Sequence, residues 1–154
     1  MKLSILYITI SGNTRSFCQR LAEYSQEQVA LDKTQLAIEV KEISENSLFE
    51  SENDPFVAIV PTYLDGGNGL DSGTNEIMTN ALGEYIEHEN NATHCIGIIG
   101  NGNKNFNWQY CLTGKQYAEK FSVPFLAEYE LRGTPDDLVR IYQVLSDYVK
   151  TVLT

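Results

Sequence analysis

Cysteine, histidine, tryptophan and basic side chains are all scarce in this chain of 154 residues. The three cysteines, Cys18, Cys95 and Cys111, are odd in number and share no C-x-x-C spacing. That argues against a disulfide framework and suits reduced thiols in a cytoplasmic protein. The two histidines, His88 and His94, lack metal-site spacing and read as surface or strand-start residues. Eleven Lys and Arg face 21 Asp and Glu, giving a formal net charge of −10. A chain so short of cations is poorly suited to nucleic acid or to an anionic membrane surface. Long apolar runs are also missing, so no membrane span is expected. The apolar stretch inside MKLSILYITISGN is too short for a signal-peptide core followed by a cleavage site.

Several catalytic signatures are absent too. The first hydroxyl-rich loop lacks both the Walker Gly-Lys-Ser/Thr and the dinucleotide pattern G-x-G-x-x-G. A phospho-acceptor receiver domain needs a carboxylate at the end of its first strand, where this chain has Tyr7-Ile8-Thr9. A small cysteine phosphatase needs Arg six positions after Cys, and here those positions hold Tyr24, Asn101 and Tyr117.

What is present is ordinary apolar content in a length suited to one domain, residues 1–154. Five apolar segments stand out: Leu3–Ile8, Leu36–Val40, Phe56–Val60, Cys95–Ile99 and Pro124–Tyr129. LSILYI, FVAIV and CIGIIG are nearly continuous, as in strands covered on both faces. Helical spacing appears at Phe17, Leu21 and Tyr24; at Met78, Leu82, Tyr85 and Ile86; from Tyr110 to Phe121, interrupted by Gly114; and from Leu138 to Val149. The last of these follows Pro135 and two acids, which favour a helix start. The acidic segment from Glu42 to Pro55 has little helical periodicity. The order β-α-β-β-α-β-α-β-α predicts an α/β fold with a doubly wound, five-stranded parallel sheet and helices on both faces. No linker, internal repeat or low-complexity tract is visible.

Such a sheet binds ligands beyond the carboxyl ends of its strands, so the loops after the first, third and fourth segments matter most. In the first, Thr9, Ser11 and Thr14 offer hydroxyls, Asn13 an amide, and Gly12 close backbone approach. A helix start follows, with its unpaired N–H groups. Two readings stand here: a phosphate cradle, or a turn in which Ser11 or Asn13 caps a helix. The second loop, PTYLDGGNGLDSGTNE, has one aromatic in its first part, Tyr63, and glycines at 66, 67, 69 and 73. Its acids lack EF-hand spacing, so a plain glycine-rich loop is preferred to a calcium site. The third, GNGNKNFNW, carries asparagine amides with Phe106 and Trp108. A phosphate seat plus two loops of aromatics and amides describes a ligand with a phosphate at one end and a flat ring at the other, namely FMN.

TISGNT resembles the flavodoxin phosphate loop T/S-x-T/S-G-x-T. The stretch GNGNKNFNWQYCLTGKQYAEKFSVPFLAEYELRGTPDDL resembles the C-terminal half of the NrdI family, flavodoxin-like proteins of class Ib ribonucleotide reductase systems. The most specific parts are Gly100–Trp108 and ELRGT, Glu130–Thr134. The resemblance implies a flavodoxin-like fold and bound FMN. It implies that the reduced flavoprotein reacts with dioxygen, supplying a superoxide- or peroxide-level oxidant. That oxidant assembles the dimanganese–tyrosyl radical cofactor of the reductase small subunit, with electrons from a donor not identified by sequence. By motif, Thr9, Ser11, Gly12, Asn13 and Thr14 hold phosphate. Pro61, Thr62, Tyr63, Gly66, Gly67, Asn101, Phe106 and Trp108 surround the ring. Many relatives have glycine after the loop phenylalanine, where this chain has Asn107-Trp108. The flavin carries the chemistry, so no acid–base catalyst and no metal ligand is expected, and the free protein is expected to be a monomer. The alternative is a generic flavodoxin, a one-electron carrier. The third loop, with Lys104 and no acid, suits an anionic reduced flavin and favours the oxygen-reacting reading.

Overall fold

Strands whose two faces are both apolar must be covered on both sides, and this sheet is. The computed structural model describes residues 1–9, 11–62, 81–102 and 111–153. Its strands are β1 (Lys2–Tyr7), β2 (Ala37–Glu42), β3 (Phe56–Pro61), β4 (Cys95–Gly102) and β5 (Phe125–Glu130), in the spatial order β2-β1-β3-β4-β5. All neighbouring pairs are parallel, so each connection crosses a face of the sheet. The described helices are α1 (Asn13–Leu31), α2 (Ala81–Glu87), α3 (Asn91–His94), α4 (Leu112–Lys120) and α5 (Pro135–Val152).

Alternation along each strand sends apolar side chains to two separate cores. Leu3, Ile5, Tyr7, Val57 and Ile59 pack with Phe17 and Leu21 of α1 and with Ile141, Leu145 and Val149 of α5. Leu6, Phe56, Ala58 and Val60 pack on the other face with Leu82, Tyr85 and Ile86 of α2 and Ala118 of α4. All six residues of β3 are buried, as its continuous run requires. Each fully buried Leu, Ile or Phe contributes roughly 1.5–3 kcal/mol.

The structure departs from the sequence expectation at element ends. β2 runs on through Lys41 and Glu42 because both charges find partners, described below. β4 continues through Asn101 and Gly102, pairing with Pro61 on one side and with Tyr129 and Glu130 on the other. The short α3 was not foreseen. Gly114 does not interrupt α4: a Cβ there would lie 3.1 Å from the Gly100 Cα, so its bare backbone lets the helix rest on β4. Met78 and Tyr110, expected at helix starts, lie outside the described residues.

The segment from 43 to 55 has no helix, and polar side chains hold it instead. Asn91, 1% exposed, accepts from the Glu52 N–H at 2.6 Å and donates through Nδ2 to the carbonyls of Glu50 and Tyr85, each at 2.9 Å. Lys41 Nζ donates to Tyr85 Oη at 2.7 Å and to Glu52 Oε2 at 3.0 Å. Burial works against the Lys41 charge, but these hydrogen bonds outweigh it and hold its pKa above the usual lysine value. Replacing Asn91 by Ala strands three backbone groups away from water. Asn91→Ala is expected to lower stability by roughly 2–4 kcal/mol in urea unfolding, more than an ordinary surface change.

Candidate functional site

β1 ends at Tyr7 and α1 begins at Asn13, which places Thr9, Ser11 and Gly12 at the carboxyl edge of the sheet. Gly12 occupies the cap position with φ 91° and ψ −6°, the left-handed region that glycine adopts without strain. Among the described residues no side-chain cap of α1 is found. Of the two readings left open by sequence, the helix cap from Ser11 or Asn13 is therefore not made. The Gly12 N–H instead donates to Thr9 Oγ1 at 3.0 Å, closing the loop on itself, and the Ser16 N–H donates to the Gly12 carbonyl at 3.0 Å. Among the described residues the first-turn amides of α1 have no side-chain acceptor, and the positive end of a 19-residue helix stands behind them. A Cβ built on Gly12 meets nothing within 4 Å, so the space over the loop is open.

Thr14 lies beneath this turn, fully buried. Its Oγ1 accepts a hydrogen bond from Asn101 Nδ2 at 2.9 Å. Asn101, 2% exposed, accepts through its backbone carbonyl from the Thr62 N–H at 2.8 Å. Thr62 Oγ1 in turn accepts from the Thr113 N–H at 2.9 Å, in the first turn of α4. One run of hydrogen bonds thus joins α1, β4, the end of β3 and α4. Because the Thr14 oxygen is used as acceptor, its hydroxyl proton is available for donation. Thr113 Oγ1 is buried and has no hydrogen-bond partner among the described residues.

The loop's own arginine is engaged elsewhere. Arg15 makes a two-point contact with Glu42, Nε to Oε1 at 2.6 Å and Nη2 to Oε2 at 2.8 Å, and Tyr7 Oη donates to Glu42 Oε1 at 3.2 Å. The Arg15 hydrogen bonds hold the Glu42 carboxyl below its usual range, against partial burial. Burial, with Cys18 and Glu42 nearby, pushes the Tyr7 phenol up. Burial also keeps Cys18 a thiol and pushes Cys95 up to about 11, so neither is a nucleophile at neutral pH. All three cysteines are buried.

The structure brings Thr9, Ser11, Gly12, Asn13 and Thr14 into one turn and sets Pro61, Thr62 and Asn101 at the adjoining ends of β3 and β4. Tyr63, Gly66, Gly67, Phe106 and Trp108 lie outside the described residues. Sequence reasoning missed three supporting residues. Glu42 and Thr113 carry no local signal, since their partners are distant in the chain. Arg132, whose Nε donates to Asn13 Oδ1 at 3.2 Å, sits in the ELRGT segment and was visible there only as part of a pattern. Beside it, Asn13, Glu128–Thr134, Asp137 and Arg140 line an open cleft of about 790 Å³. Among the described residues no group of three metal-ligating side chains could hold a metal ion, and no helix is long and apolar enough to cross a membrane.

Comparison with known proteins agrees with this geometry. A family model described as "NrdI Flavodoxin like" matches residues 5–143. A protein of Streptococcus pyogenes serotype M18, provisionally named NrdI-like, is 50% identical over 143 residues, covering 93% of this chain and 91% of its own. Protein NrdI of Bartonella henselae is 31% identical over 153 residues, covering 99% and 100%. Among solved structures, a short-chain flavodoxin associated with a PDU bacterial microcompartment superposes with a TM-score of 0.68 at 17% identity, covering 98% of both chains. A flavodoxin from the domain Archaea does so with a TM-score of 0.61 at 12% identity and full coverage of both. These last two establish the flavodoxin-like fold.

The Arg15–Glu42 pair has a pH signature. A carboxyl whose pKa is depressed on folding adds stability above its unfolded value, and loses it as pH falls through the folded value. Glu42→Gln is expected to be less stable than the parent at neutral pH. The gap should hold down to about pH 5 and close below about pH 4. Urea midpoints across that range check this; a gap that stays constant to low pH contradicts it.

Proposed function

The chain belongs to the NrdI flavodoxin-like family, and on that premise we propose that it is an FMN flavoprotein serving ribonucleotide reductase. The observation that carries the cofactor reading is the uncapped start of α1. A helix that begins on a left-handed glycine, with hydroxyls around it and no cap of its own, fits a phosphate monoester.

In this reading Thr9, Ser11, Asn13 and Thr14 donate to the phosphate, and Gly12 admits it to the first-turn amides. Thr14 is oriented for this by Asn101, which takes up its oxygen. Burial of the loop floor excludes water from one side of the seat. At the ring end, Pro61, Thr62 and Asn101 form the floor. Tyr63, Gly66, Gly67, Phe106 and Trp108 complete the surround by position in the chain. The orphaned Thr113 hydroxyl suits a pocket with a polar ligand edge. When bound and reduced, FMN would supply the electrons that turn dioxygen into a superoxide- or peroxide-level oxidant. The proposed destination is the dimanganese–tyrosyl radical cofactor of the class Ib reductase small subunit. The flavoprotein works in the cytoplasm with electrons from a donor that the sequence does not identify, and when free it is a monomer.

Reduced protein mixed with manganese-loaded small subunit and dioxygen is expected to yield tyrosyl radical by electron paramagnetic resonance. No radical, where a control activator produces it, overturns the activation role. A yellow protein that passes single electrons to an acceptor but generates no radical is the carrier alternative. A colourless protein that takes up no added FMN overturns the cofactor reading.

A further inference from the structure

We propose that Arg132 is a positioning residue for the phosphate seat. It holds the Asn13 side-chain amide with its oxygen turned away, so that its NH2 end is left to meet an anion, and it adds one positive charge beside that anion. The inference rests on the FMN reading and extends it to a residue from a different edge of the sheet.

The turn from Glu130 to Thr134 is fixed by its backbone, not by the Arg132 side chain. The Leu131 N–H donates to the Gly102 carbonyl at 2.9 Å and the Gly133 N–H to the Glu130 carbonyl at 2.9 Å. Leu131 takes φ 55°, a conformation that L side chains rarely adopt. Gly133 takes φ 73°, and a Cβ there would lie 2.6 Å from Phe17 Cδ1, on the stacked Phe17–Tyr129 pair. Arg20 reaches across from α1 to donate to the carbonyls of Arg132 and Gly133, while its Nε donates to the Ser16 carbonyl at 3.2 Å. Thr134 and Asp137 then cap α5 reciprocally. So constrained, the turn sets one side chain, that of Arg132, against the first residue of α1.

The contact has a chemical direction. A guanidinium can only donate, so the amide atom facing it must be the oxygen of Asn13. The amide nitrogen, which can only donate, then faces elsewhere, and it has no partner among the described residues. An asparagine beside a phosphate can present either end; an oxygen there would repel the anion. Arg132 removes that choice. It also differs from the other arginines around the start of α1. Arg15 is held by Glu42 and Arg20 by backbone carbonyls. Arg132 uses one donor on Asn13, and its terminal nitrogens have no partner among the described residues.

The test compares FMN with riboflavin, which lacks the phosphate, by quenching of flavin fluorescence on binding to the apoprotein. Arg132→Ala is expected to weaken FMN binding roughly tenfold at low salt and to leave riboflavin within about twofold. In an Asn13→Ala background the same change should cost clearly less, because part of the effect passes through the amide. Arg132→Gln, which keeps a donor for Asn13 and loses the charge, should fall between the parent and Arg132→Ala; it also replaces the alanine variant if that fails to fold. FMN affinity unchanged in Arg132→Ala, or an equal loss for riboflavin, overturns the proposal. An undiminished loss in the Asn13→Ala background overturns the positioning role. If the parent itself takes up no FMN, the cofactor reading fails and this inference with it. If the parent binds FMN and the variants do not differ, only this inference fails.

Discussion

The buried hydrogen bond from Asn101 Nδ2 to Thr14 Oγ1 is where sheet and loop meet. It bridges β4 and α1 across the end of β1 and β3, joining residues 87 apart in the chain. Both partners are almost fully excluded from water. Breaking it would strand a donor and an acceptor in the interior, a penalty of about 1–3 kcal/mol for each group. Its effect on the site is to fix the polarity of Thr14. With one lone pair of the oxygen occupied, the Thr14 hydroxyl keeps its proton to donate. The same logic recurs at Thr9, whose Oγ1 accepts from the Gly12 N–H, and at Asn13, whose oxygen accepts from Arg132. Among the described residues three side-chain acceptors of the loop, on Thr9, Asn13 and Thr14, are thus engaged internally, at the cost of one donor, the Gly12 N–H.

Under the proposed reading, this bias is how an acidic chain, at a net charge of −10, would hold an anion without a lysine. The repulsion of distant surface carboxylates is screened beyond roughly 8–10 Å at ordinary salt. Oriented amides and hydroxyls act at contact distance and are not screened in that way. The carboxylate closest in function to the loop, Glu42, is neutralised by Arg15 and by the Tyr7 hydroxyl.

Much of this was legible before the structure. The near-continuous runs LSILYI, FVAIV and CIGIIG told of strands buried on both faces, and the doubly wound order followed. The flavodoxin-like sheet and family membership agree with that reading. Strand ends were less visible, because Lys41 and Glu42 look like loop residues until their partners are known. Those partners, Glu52 and Tyr85 for one and Arg15 for the other, lie far along the chain. At the candidate site, the residue types of the loop after β1 were readable, but the way its helix starts was not. Ser11 and Asn13 are both good caps by type, and sequence could not tell that neither caps α1. Arg132 was hidden for a similar reason. Its contact with Asn13 depends on a turn in which Gly133 and Tyr129 meet Phe17 and Arg20 of α1, residues that only the fold brings together.

The central claim is that the first-turn amides of α1 receive a phosphate. Amide resonances of residues 13–15, followed by proton–nitrogen correlation spectra of the apoprotein, test it most directly. Addition of FMN is expected to move these amide protons strongly downfield, as hydrogen bonds to an anion do, while riboflavin leaves them near their starting positions. Saturating FMN that shifts amides elsewhere and leaves residues 13–15 in place would contradict the account.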